Sequence, residues 1–303
     1  MFASLFAIAL AAQQIIIPLG KAPRQIERPR APIEEAGPQW AAACGDSADW
    51  DQPAPPVRIH ANTYLVGTCG ISAILVAGSE GHVLIDAGTE KGADLIAANI
   101  RELGFQLKDI KYLLMSHEHL DHVGGMARLQ QLTGATLVAS AQAEKVLSTG
   151  MASIDDPQAG MHKPFPAATV GRVIADGGEV RLRDLNLTAM TTPGHTPGAL
   201  SWRWESCDGA VCRSMVYADS LSPISRDDYR FSDHPAYLAA YRASIAKIAA
   251  SRCEILLTPH PSASSMKERM TGKQPLLDPA GCRNYAATLT QRLDERLAKE
   301  AGK

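Results

Sequence analysis

Two packed mixed β-sheets with helices on their outer faces, an α/β architecture of the αββα sandwich type, is what this sequence predicts. Three observations point to it. Short apolar, strand-like runs alternate with segments of helical period along most of the chain. Each half supplies a β-rich block with flanking helices, and neither half shows an independent end. The 303 residues, 46% of them hydrophobic, are enough for one large domain with a sizeable core.

The first twelve residues form a short apolar run ending in small residues, the pattern of a secretory signal cleaved near Ala11 or Ala12. Only the terminal amine supplies positive charge there. Gln13, Gln14 and Pro18 interrupt the run well short of the roughly 20 apolar residues of a membrane span. Export to the periplasm, without membrane insertion after the signal is removed, is therefore the expectation. Residues 13–43 are rich in Pro, Arg and Glu from position 18 onward and have no apolar period. They read as an extended or disordered leader into a domain over 44–303.

Within that domain, residues 71–76 and 83–86 are apolar runs separated by Ser-Glu-Gly-His, which predicts a hairpin. Residues 91–103 carry Leu95, Ile96, Ile100 and Leu103 at helical spacing, and Gly104 stops the helix. A short buried strand over 112–115 feeds a dense cluster of His and Asp. A helix from Val123 and a strand over 136–139 follow. Further strands are expected at 187–190, 200–204, 214–217 and 255–258, and helices over 235–250 and 281–299.

The formal charge of −2 lacks the basic signature of a nucleic-acid binder, and no Lys/Arg cluster sits beside aromatics. Six cysteines suit a disulfide framework in an oxidising compartment. Cys207 and Cys212 flank a short turn between strand-like runs. Cys253 precedes a strand and Cys282 opens the last helix, which leaves Cys44 with Cys69. Buried free thiols are the other reading, whereas a structural zinc lacks any Cys-x-x-Cys pair.

The strongest chemical signal is Ser116-His117-Glu118-His119-Leu120-Asp121-His122, just after a strand. On extended backbone His117 and His119 point the same way, so they can chelate one ion. Asp121 and His122 sit where a helix begins, so their side chains diverge and can reach a second. Zinc suits these N and O donors.

His-x-His-x-Asp-His after a strand resembles the signature of the metallo-β-lactamase superfamily, and other stretches follow its layout. Leu84-Ile-Asp86-Ala-Gly looks like its first motif, in which the Asp supports the metal loop. Thr192-Pro-Gly-His195-Thr-Pro-Gly and Pro259-His260-Pro look like its later ligand motifs. The resemblance implies two zinc ions per chain, one on His117, His119 and His195, the other on Asp121, His122 and His260. Each keeps an open position, as a catalytic zinc requires.

Within the superfamily the chain is most similar to the subclass B3 metallo-β-lactamases, over nearly all of its length after the leader. Tyr64-Leu-Val-Gly-Thr-Cys-Gly-Ile-Ser, Tyr217-Ala-Asp-Ser-Leu-Ser, Arg230-Phe-Ser-Asp and Thr258-Pro-His-Pro-Ser carry that likeness. The six Cys positions also resemble those of three-disulfide members. The resemblance implies a monomeric zinc β-lactamase that confers antibiotic resistance by opening the β-lactam amide of penicillins, cephalosporins and carbapenems. A hydroxide made at the metal pair would attack, and Asp121 and His119 would be the residues on which catalysis depends. Ser220 and Ser222 would bind the substrate carboxylate, since two hydroxyls at i and i+2 can donate to one anion. By the same resemblance Gln158, in the stretch 155–162, matches a substrate-side loop over the cleft and would contact the substrate.

A zinc lactonase is the alternative, and a bridging Asp219 would favour it. Ala-Asp-Ser-Leu instead follows the lactamase register, which puts Asp219 beside the site. A non-catalytic zinc scaffold is disfavoured by the open ligand sets. His60, His82, His162 and His234 lack ligand-like context, and Trp50, Trp202 and Trp204 are read as packing residues.

Overall fold

The computed structural model describes residues 32–302. The expected export signal and most of the expected leader lie outside the described residues. The end of that leader needs correction, because α1 (Ile33–Cys44) is a helix and folded structure begins before residue 44. Its apolar side is Ala36, Trp40, Ala41 and Cys44, at helical spacing but made mostly of small side chains. Pro38 inside it hides the period. Gly37 lets α1 approach the later helix α7 (Met266–Met270) closely, since a Cβ there would meet Met270 O at 2.6 Å.

The first sheet has seven strands in sequence order: β1 (Val57–His60), β2 (Thr63–Leu65), β3 (Ile74–Gly78), β4 (Gly81–Ile85), β5 (Ile110–Leu114), β6 (Thr136–Ala139) and β7 (Val170–Val173). Pairing is antiparallel up to β4 and parallel from β4 to β7. The second sheet runs β12 (Ile255–Leu257), β11 (Val211–Tyr217), β10 (Leu200–Asp208), β9 (Leu185–Thr191) and β8 (Glu179–Leu182). Only its β11–β12 pair is parallel. Both sheets are therefore mixed, as predicted.

Side chains alternate across each strand and divide the core into layers. Ile74, Val76, Val83 and Ile85 face the second sheet's Leu187, Leu200, Trp202 and Met215. Leu75, Leu84 and Leu113 face outward to α2 (Glu90–Glu102), α4 (Met126–Thr133) and α5 (Ala141–Thr149) through Ile96, Leu129 and Val146. On the far side, Val216 and Leu256 pack on α6 (Pro235–Ala249) and α8 (Gly281–Ala301) through Ile245, Tyr285 and Leu289. The predicted elements appear within a few residues of their expected bounds. The helix expected from Val123 is broken, because α3 (Leu120–Val123) ends at Gly124-Gly125 before α4 begins.

All six cysteines pair as Cys44–Cys69, Cys207–Cys212 and Cys253–Cys282. The first ties α1 to the loop before β3, and the last ties α8 to the start of β12. Chain-entropy reasoning gives roughly 2 kcal/mol for the short loop and about 3.5 for each long one. Trp202 and Trp204 lie between the sheets, their indole N–H groups donating to Met115 O (2.9 Å) and Thr63 Oγ1 (3.2 Å).

Candidate metal centre

The centre is assembled where strands end. Asp86 follows β4 in a left-handed conformation at φ +65°. Its carboxylate accepts from Ser116 N (2.6 Å), Ser116 Oγ (2.7 Å) and Tyr217 OH (2.7 Å). That pins the loop after β5, from which His117 and His119 project. Asp121 and His122 follow on the single turn of α3. The loop after β9 brings His195, where Gly194 fits under the Tyr241 ring with no room for a Cβ. The loop after β12 brings His260, and Ser72 N donates to Pro259 O at 2.7 Å to hold it.

Each imidazole has one nitrogen turned outward to a partner. His117 Nδ1 donates to Asp219 Oδ1 (2.8 Å) and His119 Nε2 to Asp156 Oδ2 (2.9 Å). His195 Nδ1 donates to Ser222 O (2.9 Å), and His260 Nδ1 to Gly70 O (3.1 Å). His122 Nδ1 lies 3.3 Å from Asp86 Oδ2, an ionic contact without hydrogen-bond alignment. Outer partners of this kind fix the tautomer and aim of metal-binding imidazoles.

The remaining nitrogens converge. Ligand atoms of His117, His119 and His195 lie within 4.8 Å of one another. His122 Nε2 and His260 Nε2 are 3.4 Å apart, with Asp121 Oδ2 at 3.2 and 3.5 Å from them. A tetrahedral ion with bonds of about 2.0–2.1 Å needs donors roughly 3.3 Å apart. His117 Nε2 is buried with no hydrogen-bond partner, a cost that a metal bond removes. Atoms of His117, Asp121 and His122 also fall within 4.8 Å, so the two sets adjoin at His117. This donor set is that of a metal centre.

The electrostatics divide the imidazoles into those held neutral and one held as a cation by its carboxylates. Burial, then His122 and His119, push the His117 imidazole well below its usual range, and burial with His117 and His119 does the same to His195. Burial also lowers His260. All three are therefore held neutral, the form that binds metal. Burial opposes charge on His122 too, but Asp121 and Asp86 outweigh it and push the group up to about 10.

A cleft of about 590 Å³ opens over both sets, bordered by Trp50, Gln158, His162, Ser220, Ser222 and Arg292. The Ser220 hydroxyl is buried and unpartnered, whereas Ser222 Oγ is 3.1 Å from His195 Nδ1. Gln158 is buried, with its amide Nε2 3.4 Å from His195 Nε2 and its Oε1 3.4 Å from His162 Nε2. His162, which has no ligand-like context in the sequence, borders the cleft, its ring 5.2 Å from that of His119. Trp50, expected as packing, borders it as well. Asp219 stands beside the ligands as expected, its second oxygen accepting from Leu221 N (3.3 Å). His82 packs on Phe105 and His234 stacks on Tyr229, both structural roles.

Two residues escape motif reasoning. Asp156 holds His119 from a separate loop. Glu118 is buried and accepts from Thr196 Oγ1 (2.6 Å) and Gly198 N (2.7 Å), joining the two ligand loops. Burial, with Asp156 adding its charge, pushes the Glu118 carboxyl up to about 7 despite those bonds.

A family model described as the metallo-beta-lactamase superfamily matches residues 66–260. The solved structure of the MIM-2 metallo-beta-lactamase is 54% identical, with a TM-score of 0.84, covering 88% of this chain and 98% of that one. MEM-A1, a subclass B3 metallo-beta-lactamase from a soil metagenome library, is 43% identical, with a TM-score of 0.80 over 84% of this chain and 99% of that one. Among curated proteins, the uncharacterized protein YobT of Bacillus subtilis is 29% identical over 46% of this chain, which spans 59% of that relative's length.

Proposed function

The chain belongs to the metallo-beta-lactamase superfamily, and we propose from that premise that it is a periplasmic, monomeric two-zinc β-lactamase of the B3 kind. The observation that carries this reading is the meeting of His117, His119 and His195 with Asp121 and His122, and of these last two with His260, at the floor of one cleft beside an unpartnered serine hydroxyl. His117, His119 and His195 would hold one zinc, and Asp121, His122 and His260 the other. When bound, the pair supplies Lewis acidity and an activated water.

The protein's own groups do the rest. Ser220 and Ser222 bind the substrate carboxylate and so orient the ring. Gln158 closes the cleft over His195, limiting the positions open to the substrate. Asp219 and Asp156 keep His117 and His119 aimed, so no reorganisation is needed during the reaction. Water adds its hydroxyl to the carbonyl carbon, the C–N bond breaks, and the proton left from that water reaches the released nitrogen with the ionised Asp121 carboxylate assisting its transfer. All cysteines are cross-linked, and no serine sits in a recognisable activating motif, so no acyl-enzyme is expected. A lactonase would be favoured by Asp219 bridging the metals, but its oxygens are engaged with His117 and Leu221.

The test is the purified protein with excess zinc, assayed on a chromogenic cephalosporin and an acyl-homoserine lactone. Turnover of the cephalosporin with close to two zinc per chain by elemental analysis supports the reading. Turnover of the lactone alone, or an acyl adduct in mass spectra of the quenched reaction, overturns it.

A further inference from the structure

We propose that Arg292 is the charged part of the carboxylate subsite, making it a specificity-determining residue for anionic over esterified substrates. The inference rests on the hydrolase reading above and concerns the serine side of the same cleft. Among the residues bordering that cleft, Arg292 carries the one permanent positive charge. Ser220 and Ser222 are neutral donors, so a carboxylate bound there would otherwise lack a counter-charge from a side chain.

The helix places that charge on the right side. Tyr285, Thr288 and Arg292 fall at i, i+3 and i+7 of α8, one face of a helix, and all three border the cleft. Tyr285 OH donates to Ser220 O (2.8 Å) and Asp219 O (3.1 Å), which fastens this face beneath the serine segment. Arg292 stands about 10 Å further along the axis at about 1.5 Å per residue. A guanidinium can reach back over much of that distance, and what remains is within roughly a Debye length at physiological salt.

Neighbouring arginines are committed elsewhere. Arg296 bonds Glu300 and Ser225, Arg242 pairs with Asp294, and Arg230 donates to Glu300 O. Among the described residues, no ion pair or hydrogen bond engages Arg292, although the residue is exposed at the cleft rim. A charge free of protein partners at the mouth of a site attracts an oppositely charged ligand and makes association depend on salt.

The test uses the zinc-loaded enzyme, one cephalosporin as its free acid and as its methyl ester, and two salt concentrations. Arg292→Gln should raise KM for the acid about two- to five-fold, the range of a partly exposed ion contact. It should leave kcat and the ester's KM unchanged and flatten the salt dependence of kcat/KM for the acid. Arg292→Lys should restore most of the acid preference. Arg283→Gln removes a cation on the same helix that borders no part of the cleft, and should match the parent. An unchanged acid-to-ester ratio and salt slope in Arg292→Gln overturn the proposal while leaving the hydrolase reading intact. Failure of the parent to turn over either compound removes both.

Discussion

The two donor sets meet at His117 yet are supported differently. In the first, all three imidazoles are buried, and two are backed by the buried carboxylates of Asp219 and Asp156. In the second, His122 is backed by Asp86, but His260 leans only on the Gly70 carbonyl and its side chain is 34% exposed. Carboxylate backing raises ligand basicity and fixes ring orientation. The part-exposed His260 ring meets water at its edge, while in the same set Asp121 and Asp86 make His122 the imidazole for which protons compete most strongly. If each set holds an ion, the first should keep its metal more tightly than the second.

The harshest way to break this contrast is to remove the metal. Full chelation should abolish hydrolysis and zinc should restore it, whereas graded chelation should release metal in two steps, the second set emptying first. A single concerted loss in metal analysis would refute the difference. His119→Ala should remove nearly all activity. Asp121→Asn keeps the shape without the charge, and should give a large fall in kcat that added zinc recovers only in part.

Changes behind the ligands sharpen the comparison. Asp156→Asn should cost about 10–100-fold in first-site affinity or activity, the usual effect of losing such a partner. Titration with a zinc indicator separates this from His260→Ala, which should weaken the second site alone. Smaller still, Ser220→Ala with Ser222→Ala should raise KM more than it lowers kcat. The rise should reach about ten-fold if the two contacts together are worth roughly 1.4 kcal/mol. Unchanged KM for carboxylate-bearing β-lactams would remove these serines from the site.

Acid exposes a final, weaker effect that must be separated from ligand protonation. Glu254, away from both sets, accepts from Ser214 N and pairs with Arg213, and these hold its carboxyl down to about 2. A depressed carboxylate stabilises the fold above its ordinary range near 4.5, and that stability is lost as pH falls toward 2. The Tm difference between parent and Glu254→Gln should therefore be present at pH 6 and shrink through pH 4. Metal release measured in the same buffers then shows which losses belong to the ligands.

The six side chains that converge at the centre were legible in the sequence because a dense His/Asp motif and two short His motifs mark them. Strands β5 and β6 and helices α2, α6 and α8 showed through because their apolar periods are long or clean. Helix α1 was read as leader, since Ala36, Trp40 and Ala41 make a thin stripe and Pro38 interrupts it. The short, interrupted edge strands β7 and β8 left no period to read. Asp156 and Glu118 stayed hidden for another reason. Their bonds join residues 37 to 80 positions apart, and no local pattern encodes such a meeting.

Asp86 asks two unrelated things of one residue. At φ +65° its backbone tolerates Gly, Asn or Asp far better than other residues, while Ser116, Tyr217 and His122 all face its carboxylate. Gly would meet the first demand and lose the acceptor. Glu would keep the charge but displace it by a methylene, on a backbone it rarely adopts. Asn would keep the shape and turn an amide N–H toward donors. No other residue meets both demands at Asp86, whereas a change at an exposed rim residue such as Arg292 shifts substrate preference and leaves the metal centre standing. Divergence among descendants should accumulate at the rim of the cleft, where substrate preference is set, while its floor stays frozen.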